Sequence, residues 1–169
     1  MIRNSLLIAM LALVLAACSD KSAPSSESGF IPSKQTPALV VETFQGGKFD
    51  LAEHRGKWVV VNFWATWCAP CLKEIPDFNA FAKSRKDVQF IGLAYEEITR
   101  EDMSAFLKDH PIDYPFAIID VYNPPEHFET PRGLPMTVLI APGGKVSKTF
   151  LGPVTSAELA EVIGAPALQ

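Results

Sequence analysis

Cysteine and histidine are both scarce, at three each in 169 residues. Cys18, Cys68 and Cys71 are too few for a disulfide scaffold or a four-cysteine zinc site. His54, His110 and His127 are scattered with no metal-ligand spacing, and each reads as a surface or loop residue. No basic run occurs, and 15 Lys and Arg against 19 Asp and Glu leave a net charge of −4, which argues against nucleic acid as a partner. There is no internal repeat. Nor is there an apolar run of the about twenty residues that a membrane-spanning helix needs. What remains is a chain 48% apolar and 20% charged, too apolar for disorder and the length of one domain with a sizeable core.

The N-terminal segment is organised. Arg3 precedes an unbroken apolar run from Leu6 to Ala17, which fits the core of a secretory signal peptide. The run closes on Leu15-Ala16-Ala17-Cys18, small residues before a cysteine, and so resembles a bacterial lipobox. That resemblance implies cleavage after residue 17 and a diacylglycerol on the Cys18 sulfur, anchoring the protein to a membrane; the alternative is an ordinary signal peptide with Cys18 incidental. Residues 18–36 are rich in Ser and Pro and read as a solvated tether. A flexible coil of that length reaches roughly 20–25 Å. Residues 37–165 then form the domain, and 166–169 a short tail.

Within the domain, 38–44 reads as a strand, Gln45-Gly46-Gly47-Lys48 as a turn and Phe49 as a short return strand. A phosphate loop would need a following helix and a Lys-Ser/Thr pair, and neither is present. Residues 51–55 make a helical turn. Trp58-Val-Val-Val-Asn-Phe-Trp64 is apolar on both faces, as in a strand at the centre of a covered sheet. Helices are expected over 69–83, with a kink at Pro76, over 100–109, and over 156–163 behind Thr155 as N-cap. Strands are expected at 88–94, 116–119, 136–140 and 145–150, the last two joined through Ala-Pro-Gly-Gly. The order predicts an α/β fold with a mixed central sheet, helices on both faces and an N-terminal β-hairpin. The segment 122–128 carries Pro124 and Pro125 and reads as an irregular loop.

The chemistry lies at the end of the central strand, in Trp67-Cys68-Ala69-Pro70-Cys71. Two cysteines three apart at a helix start can close a small disulfide ring. Free backbone N–H groups and the positive helix end favour a thiolate at Cys68, and the thiolate is the nucleophile. Cys71, inside the helix, is placed to resolve a mixed disulfide, and Pro70 suits the first turn. A lone Cys-x-x-Cys is also half a zinc site or an inert staple; the absence of a second pair and the strand-to-helix setting favour redox chemistry. Trp67, directly before the nucleophile, shapes the contact surface by this reading, whereas Phe63 and Trp64 belong to the core.

The run Val59-Val-Val-Asn-Phe-Trp-Ala-Thr-Trp-Cys-Ala-Pro-Cys71, then Pro76, then Gly133-Leu134-Pro135-Met136-Thr137, resembles the thioredoxin superfamily, and within it the TlpA/ResA-like membrane-tethered branch. The resemblance covers about residues 37–164. It implies a thioredoxin-like fold and a cis Leu134–Pro135 bond beside the disulfide, where a substrate segment pairs with extended backbone. Asn62 occupies the position where many thioredoxins carry a buried Asp. The branch instead places a Glu after the next strand, which falls on Glu97, with Glu96 as the fallback; such a carboxylate accepts the proton of Cys71. Both are also what a solvated pre-helix segment looks like.

The activity implied is thiol–disulfide exchange outside the cytoplasm, with no organic cofactor and no metal. The family suggests a disulfide reductase recharged by a membrane thiol transporter and acting on exported proteins, including apocytochrome c during haem attachment. The runners-up are a thiol oxidase, a peroxiredoxin-like peroxidase and a copper-carrying lipoprotein. The peroxidase setting Pro-x-x-x-Thr/Ser-x-x-Cys is missing around Thr66-Trp67-Cys68. Copper chaperones of this fold use a cysteine pair one residue wider.

Overall fold

The computed structural model describes residues 36–165. The expected signal peptide, Cys18, the tether up to residue 35 and the tail at 166–169 lie outside the described residues. The elements in chain order are β1 (Val40–Glu42), β2 (Lys48–Asp50), a 3-10 turn (Leu51–His54), β3 (Trp58–Trp64), α1 (Ala69–Ser84), β4 (Val88–Tyr95), α2 (Arg100–Phe106), β5 (Phe116–Ile119), β6 (Met136–Ile140), β7 (Val146–Leu151) and α3 (Ser156–Ile163). β1 and β2 form an antiparallel hairpin, and the other five strands form one sheet in the order β5-β4-β3-β6-β7. β3, β4 and β5 run parallel, β6 is antiparallel to β3 and β7 antiparallel to β6, so the sheet is mixed as its sequence order predicts.

The pleat divides the core. Val59, Val61 and Phe63 of β3 point to one face with Ile91, Leu93 and Val138. Val60 and Trp64 point to the other, where α1, α2 and α3 cover the sheet through Phe78, Met103 and Leu159. The first face is closed by the hairpin, by Leu51 of the 3-10 turn and by Phe128. Helical cover was expected on both faces; on this one it amounts to a single 3-10 turn. The chain from 121 to 135 forms no helix because Pro124, Pro125, Pro131 and Pro135 interrupt it. The irregular loop expected there is present, pinned by Phe128 against Phe63 and by Tyr95 Oη donating to the Val121 carbonyl at 3.3 Å.

Several boundaries differ from the sequence reading by a residue or more, and two of them have clear local reasons. β1 stops at Glu42 because Thr43 turns back on Gly46 and Gly47, and the Phe44 N–H donates to the Phe116 carbonyl of β5. α2 stops at Phe106, and residues 107–110 tighten into turns ahead of Pro111. α1 runs from Ala69 to Ser84 with Pro76 inside it, within a residue of the expected span.

Candidate active site

β3 ends at Trp64, and four residues later the chain reaches Cys68, the N-cap residue of α1. Its backbone is extended (φ −87°, ψ 92°), and its Sγ accepts the Cys71 N–H at 3.4 Å. The Cys71 N–H of the first turn therefore points at this sulfur, which is how a helix start favours a thiolate. Cys68 and Cys71 form a disulfide with Cα atoms 5.3 Å apart. Pro70 lies in the first turn, where its missing N–H costs nothing. Cys68 is 4% exposed and Cys71 1%, so the first cysteine is the more open of the pair. Trp67 beside it is 69% exposed.

The Leu134–Pro135 bond is cis. Leu134 packs against the apolar cluster that contains both cysteines, and the Pro135 carbonyl accepts the Gly152 N–H at 2.9 Å, tying this corner to the end of β7. Asn62 is buried in β3 and donates from Nδ2 to Thr137 Oγ1 on β6 at 3.0 Å, two residues beyond Pro135. It braces the two strands that carry the site.

The carboxylates arrange themselves differently from the sequence expectation. Glu97 faces solvent, with Oε2 3.5 Å from the Tyr122 hydroxyl. Glu96 is buried and turns inward. Its Oε1 accepts the Thr66 N–H at 2.6 Å and its Oε2 the Thr66 hydroxyl at 2.9 Å. Both oxygens thus hold the loop two residues before Cys68. The alternation of β4 carries this signal: Ala94 faces the cysteine cluster, so Glu96 follows it inward and Glu97 does not.

A third carboxyl, Glu74, has no counterpart in the sequence reading. It is three residues past Cys71 on α1, so the two side chains share a helix face. It is 6% exposed. Its Oε1 accepts the Val154 N–H at 2.5 Å, and its Oε2 is buried without a partner. Burial pushes its pKa from the ordinary 4.5 up to about 7; the Val154 bond opposes this, and the nearby Asp77 adds to it. The signal available in sequence was the spacing Cys71, Glu74, Ile75, Phe78, one charge on the helix face that is otherwise buried. Glu74 lines a groove of about 700 Å³ that runs past Pro70 to the Val154–Ala157 segment.

The histidines are apart: His54 stacks on Phe49, His110 on Phe106, and His127 is exposed. Among the described residues no group of three or more His, Cys, Asp or Glu assembles.

A dithiol at the start of a helix, reached from a central parallel strand and facing a cis-proline corner, defines a thioredoxin-like redox domain. Residues 32–152 match the AhpC/TSA family. The thiol-disulfide oxidoreductase ResA of one Bacillus cereus strain is 34% identical over 134 residues, which is 75% of this chain and 73% of that protein. Its namesake from a second B. cereus strain is 33% identical over 147 residues, 82% and 80% of the two chains. Among solved structures, a thioredoxin-family thiol:disulfide interchange protein from Chlorobium tepidum TLS superposes with a TM-score of 0.64 at 28% identity, over 76% of this chain and 92% of that one. The chain belongs to the AhpC/TSA family and, within it, to the ResA-like thiol–disulfide oxidoreductases.

Proposed function

We propose that this oxidoreductase is an extracytoplasmic disulfide reductase, held to a membrane through Cys18 and acting on exported proteins. The observation that carries the mechanism is the Cys68–Cys71 pair at the start of α1, with the buried Glu74 carboxyl on the same helix face. In the reduced protein the Cys68 thiolate attacks one sulfur of a substrate disulfide. That S–S bond breaks, a substrate thiolate leaves and a mixed disulfide forms. Cys71 then gives its proton to the Glu74 carboxylate and attacks Cys68 Sγ. The Cys68–Cys71 bond closes and the second substrate thiolate leaves. Two electrons pass to the substrate, and a dithiol donor, a membrane thiol transporter in this reading, restores the reduced pair.

Glu74 takes the proton, rather than Glu97 or Glu96. An acceptor with a pKa near the working pH transfers protons best, and Glu74 has one oxygen free. Glu96 has both oxygens engaged by Thr66 and positions the loop, and Glu97 faces solvent. Trp67, Pro70, Leu134 and Pro135 make the surface on which the substrate segment lies. Apocytochrome c is one substrate that fits, as an exported polypeptide with a cysteine pair. The apolar segment ending at Cys18 supports a cell-envelope location.

The test is trapping. Cys71→Ser should accumulate a mixed disulfide through Cys68 with a substrate protein, and Cys68→Ser should give none. Equal trapping by both variants would remove the assignment of roles. Labelling with a radioactive fatty acid that persists in Cys18→Ala would remove the lipid anchor.

A further inference from the structure

The connector between β7 and α3 lines the groove beside Pro70 and Glu74, and every backbone N–H in it from Gly152 to Ser156 has a partner. Gly152 donates to the Pro135 carbonyl at 2.9 Å, Val154 to Glu74 Oε1 at 2.5 Å, Thr155 to Glu158 Oε2 at 2.8 Å and Ser156 to Asp77 Oδ2 at 2.6 Å; Pro153 has no N–H. The Ser156 hydroxyl adds a second bond to the same carboxylate, to Oδ1 at 2.7 Å. Thr155 and Glu158 form a capping box, which closes α3 on itself. The bonds of Gly152, Val154 and Ser156 instead tie the connector to the elements that carry the site: the cis-proline corner, and two carboxylates three residues apart on α1. Gly152 has a φ of +94°, which L side chains rarely adopt, and so sets the bend at which the connector leaves β7.

Val154 is thus held from both sides, from Pro135 through Gly152 and from Asp77 through Ser156. Its N–H fixes one oxygen of Glu74 and leaves the other without a partner. A donor on a carboxylate favours the ionised form, which is the form that can take a proton. The place of Val154 therefore decides both where Glu74 points and how readily it accepts. We propose that Asp77 is a positioning residue for thiol–disulfide exchange: by gripping Ser156 with both oxygens it holds the Val154 N–H against Glu74, and so keeps that carboxyl in place for Cys71. This rests on the reading of Glu74 as the acceptor of the Cys71 proton. In the step served, the proton moves from Cys71 to Glu74, the Cys71 electron pair forms the bond to Cys68 Sγ, and the Cys68–substrate bond pair leaves with the substrate sulfur. Asp77 is half-buried and takes part in none of the ion pairs among the described residues; its two oxygens are spent on Ser156. Its charge alone works against ionisation of Glu74, so its service runs through the hydrogen bonds and not through the field.

The experiment follows both exchange steps at neutral pH in the full-length protein carrying Cys18→Ala, so that only the Cys68–Cys71 pair reacts. Reduced protein is mixed with 5,5′-dithiobis(2-nitrobenzoate), which releases one coloured thiolate in a bimolecular phase at Cys68 and a second in a unimolecular phase as Cys71 closes the ring. Ser156→Pro removes both donors to Asp77 and leaves its charge. Proline suits the first position of α3, and Thr155 before it is already extended (φ −93°, ψ 158°). This variant should slow the second phase by about tenfold, the low end for losing a hydrogen bond to a charged group, and leave the first phase unchanged. Asp77→Ala and Asp77→Asn remove the same charge, but the amide keeps an acceptor for the Ser156 N–H; the alanine variant should be slow and the asparagine variant within about threefold of the wild type. This second pair carries the test if Ser156→Pro does not fold. In a Glu74→Gln background, itself slow in the second phase, Ser156→Pro should add less than about twofold, because both changes act through one carboxyl. A second phase that keeps its wild-type rate in Ser156→Pro and Asp77→Ala, while Glu74→Gln slows it, would overturn the proposal alone. Equal slowing by Ser156→Pro with and without Glu74, or slowing of both phases together, would make the connector a packing element and also overturn it. If Glu74→Gln itself leaves the second phase unchanged, the reading of Glu74 fails and the proposal goes with it.

Discussion

Glu74 makes the stability of the fold depend on pH in a direction opposite to that of an ordinary paired carboxylate. Its pKa is about 7 in the native protein and near the ordinary 4.5 when unfolded. Below about pH 4.5 both states carry the proton and burial costs nothing through this group. Between the two values the native state holds a proton that the unfolded state releases, so stability falls as pH rises. Above about pH 7 both are ionised and the full penalty is present. A displacement from 4.5 to about 7 at 1.36 kcal/mol per unit corresponds to on the order of 3 kcal/mol, a large share of a small domain's stability. Glu74→Gln keeps the shape and an oxygen for the Val154 N–H but cannot ionise. The measurement is urea unfolding of the oxidised wild-type and variant proteins at a series of pH values; with the disulfide closed, Cys71 does not titrate and the other groups cancel in the difference. The variant should gain on the wild type by roughly 3 kcal/mol between about pH 4 and about pH 8, most steeply between about 5 and 7. A difference that is flat in pH would show that Glu74 is ionised at its ordinary pKa and would refute both its burial cost and its use as a proton acceptor near neutrality.

Two further substitutions test the frame around the site. Gly92→Ala places a Cβ 3.0 Å from Phe116 Cβ, 3.1 Å from Trp64 Nε1 and 3.2 Å from Tyr114 Cε2, so nothing can yield without moving the core. It should cost about 1–3 kcal/mol in chemical denaturation, and an unchanged midpoint would mean that this layer is looser than described. Thr66→Val removes the hydroxyl that donates to Glu96 Oε2 and leaves that buried oxygen short of a partner. A loss of about 1–3 kcal/mol is expected, recovered by Thr66→Ser; if serine does not restore it, the effect comes from packing and not from the hydrogen bond.

Much of this arrangement is legible in the amino-acid sequence. β3 is apolar on both faces because it lies between β4 and β6, and the ends of that strand match the run Trp58–Trp64 to the residue. Cys68 and Cys71 follow from spacing and setting, and the irregular path after β5 from its prolines. The carboxylates were harder. A charged residue in sequence looks solvated by default, and only side-chain direction separates Glu96 from Glu97. That direction depends on the pleat continuing past the end of β4. Glu74 was hidden by its neighbours: Lys73 and Asp77 make this stretch of α1 look like an ordinary charged helix surface. The groove that covers it is built by Val154, eighty residues away in the chain. One-sided helical cover was likewise out of reach. The hairpin that closes the other face is local in sequence, but its docking onto Phe63 and Ile91 is decided by tertiary packing.

The most direct test of the central claim is the equilibrium reduction potential of the Cys68–Cys71 pair, measured against a glutathione or dithiothreitol buffer. A reductase with a dedicated electron supply should give a reversible two-electron couple near the thioredoxin value of about −270 mV. A couple near about −120 mV would mark an oxidant and contradict the proposed direction of electron flow. The absence of any reversible couple would contradict dithiol exchange itself.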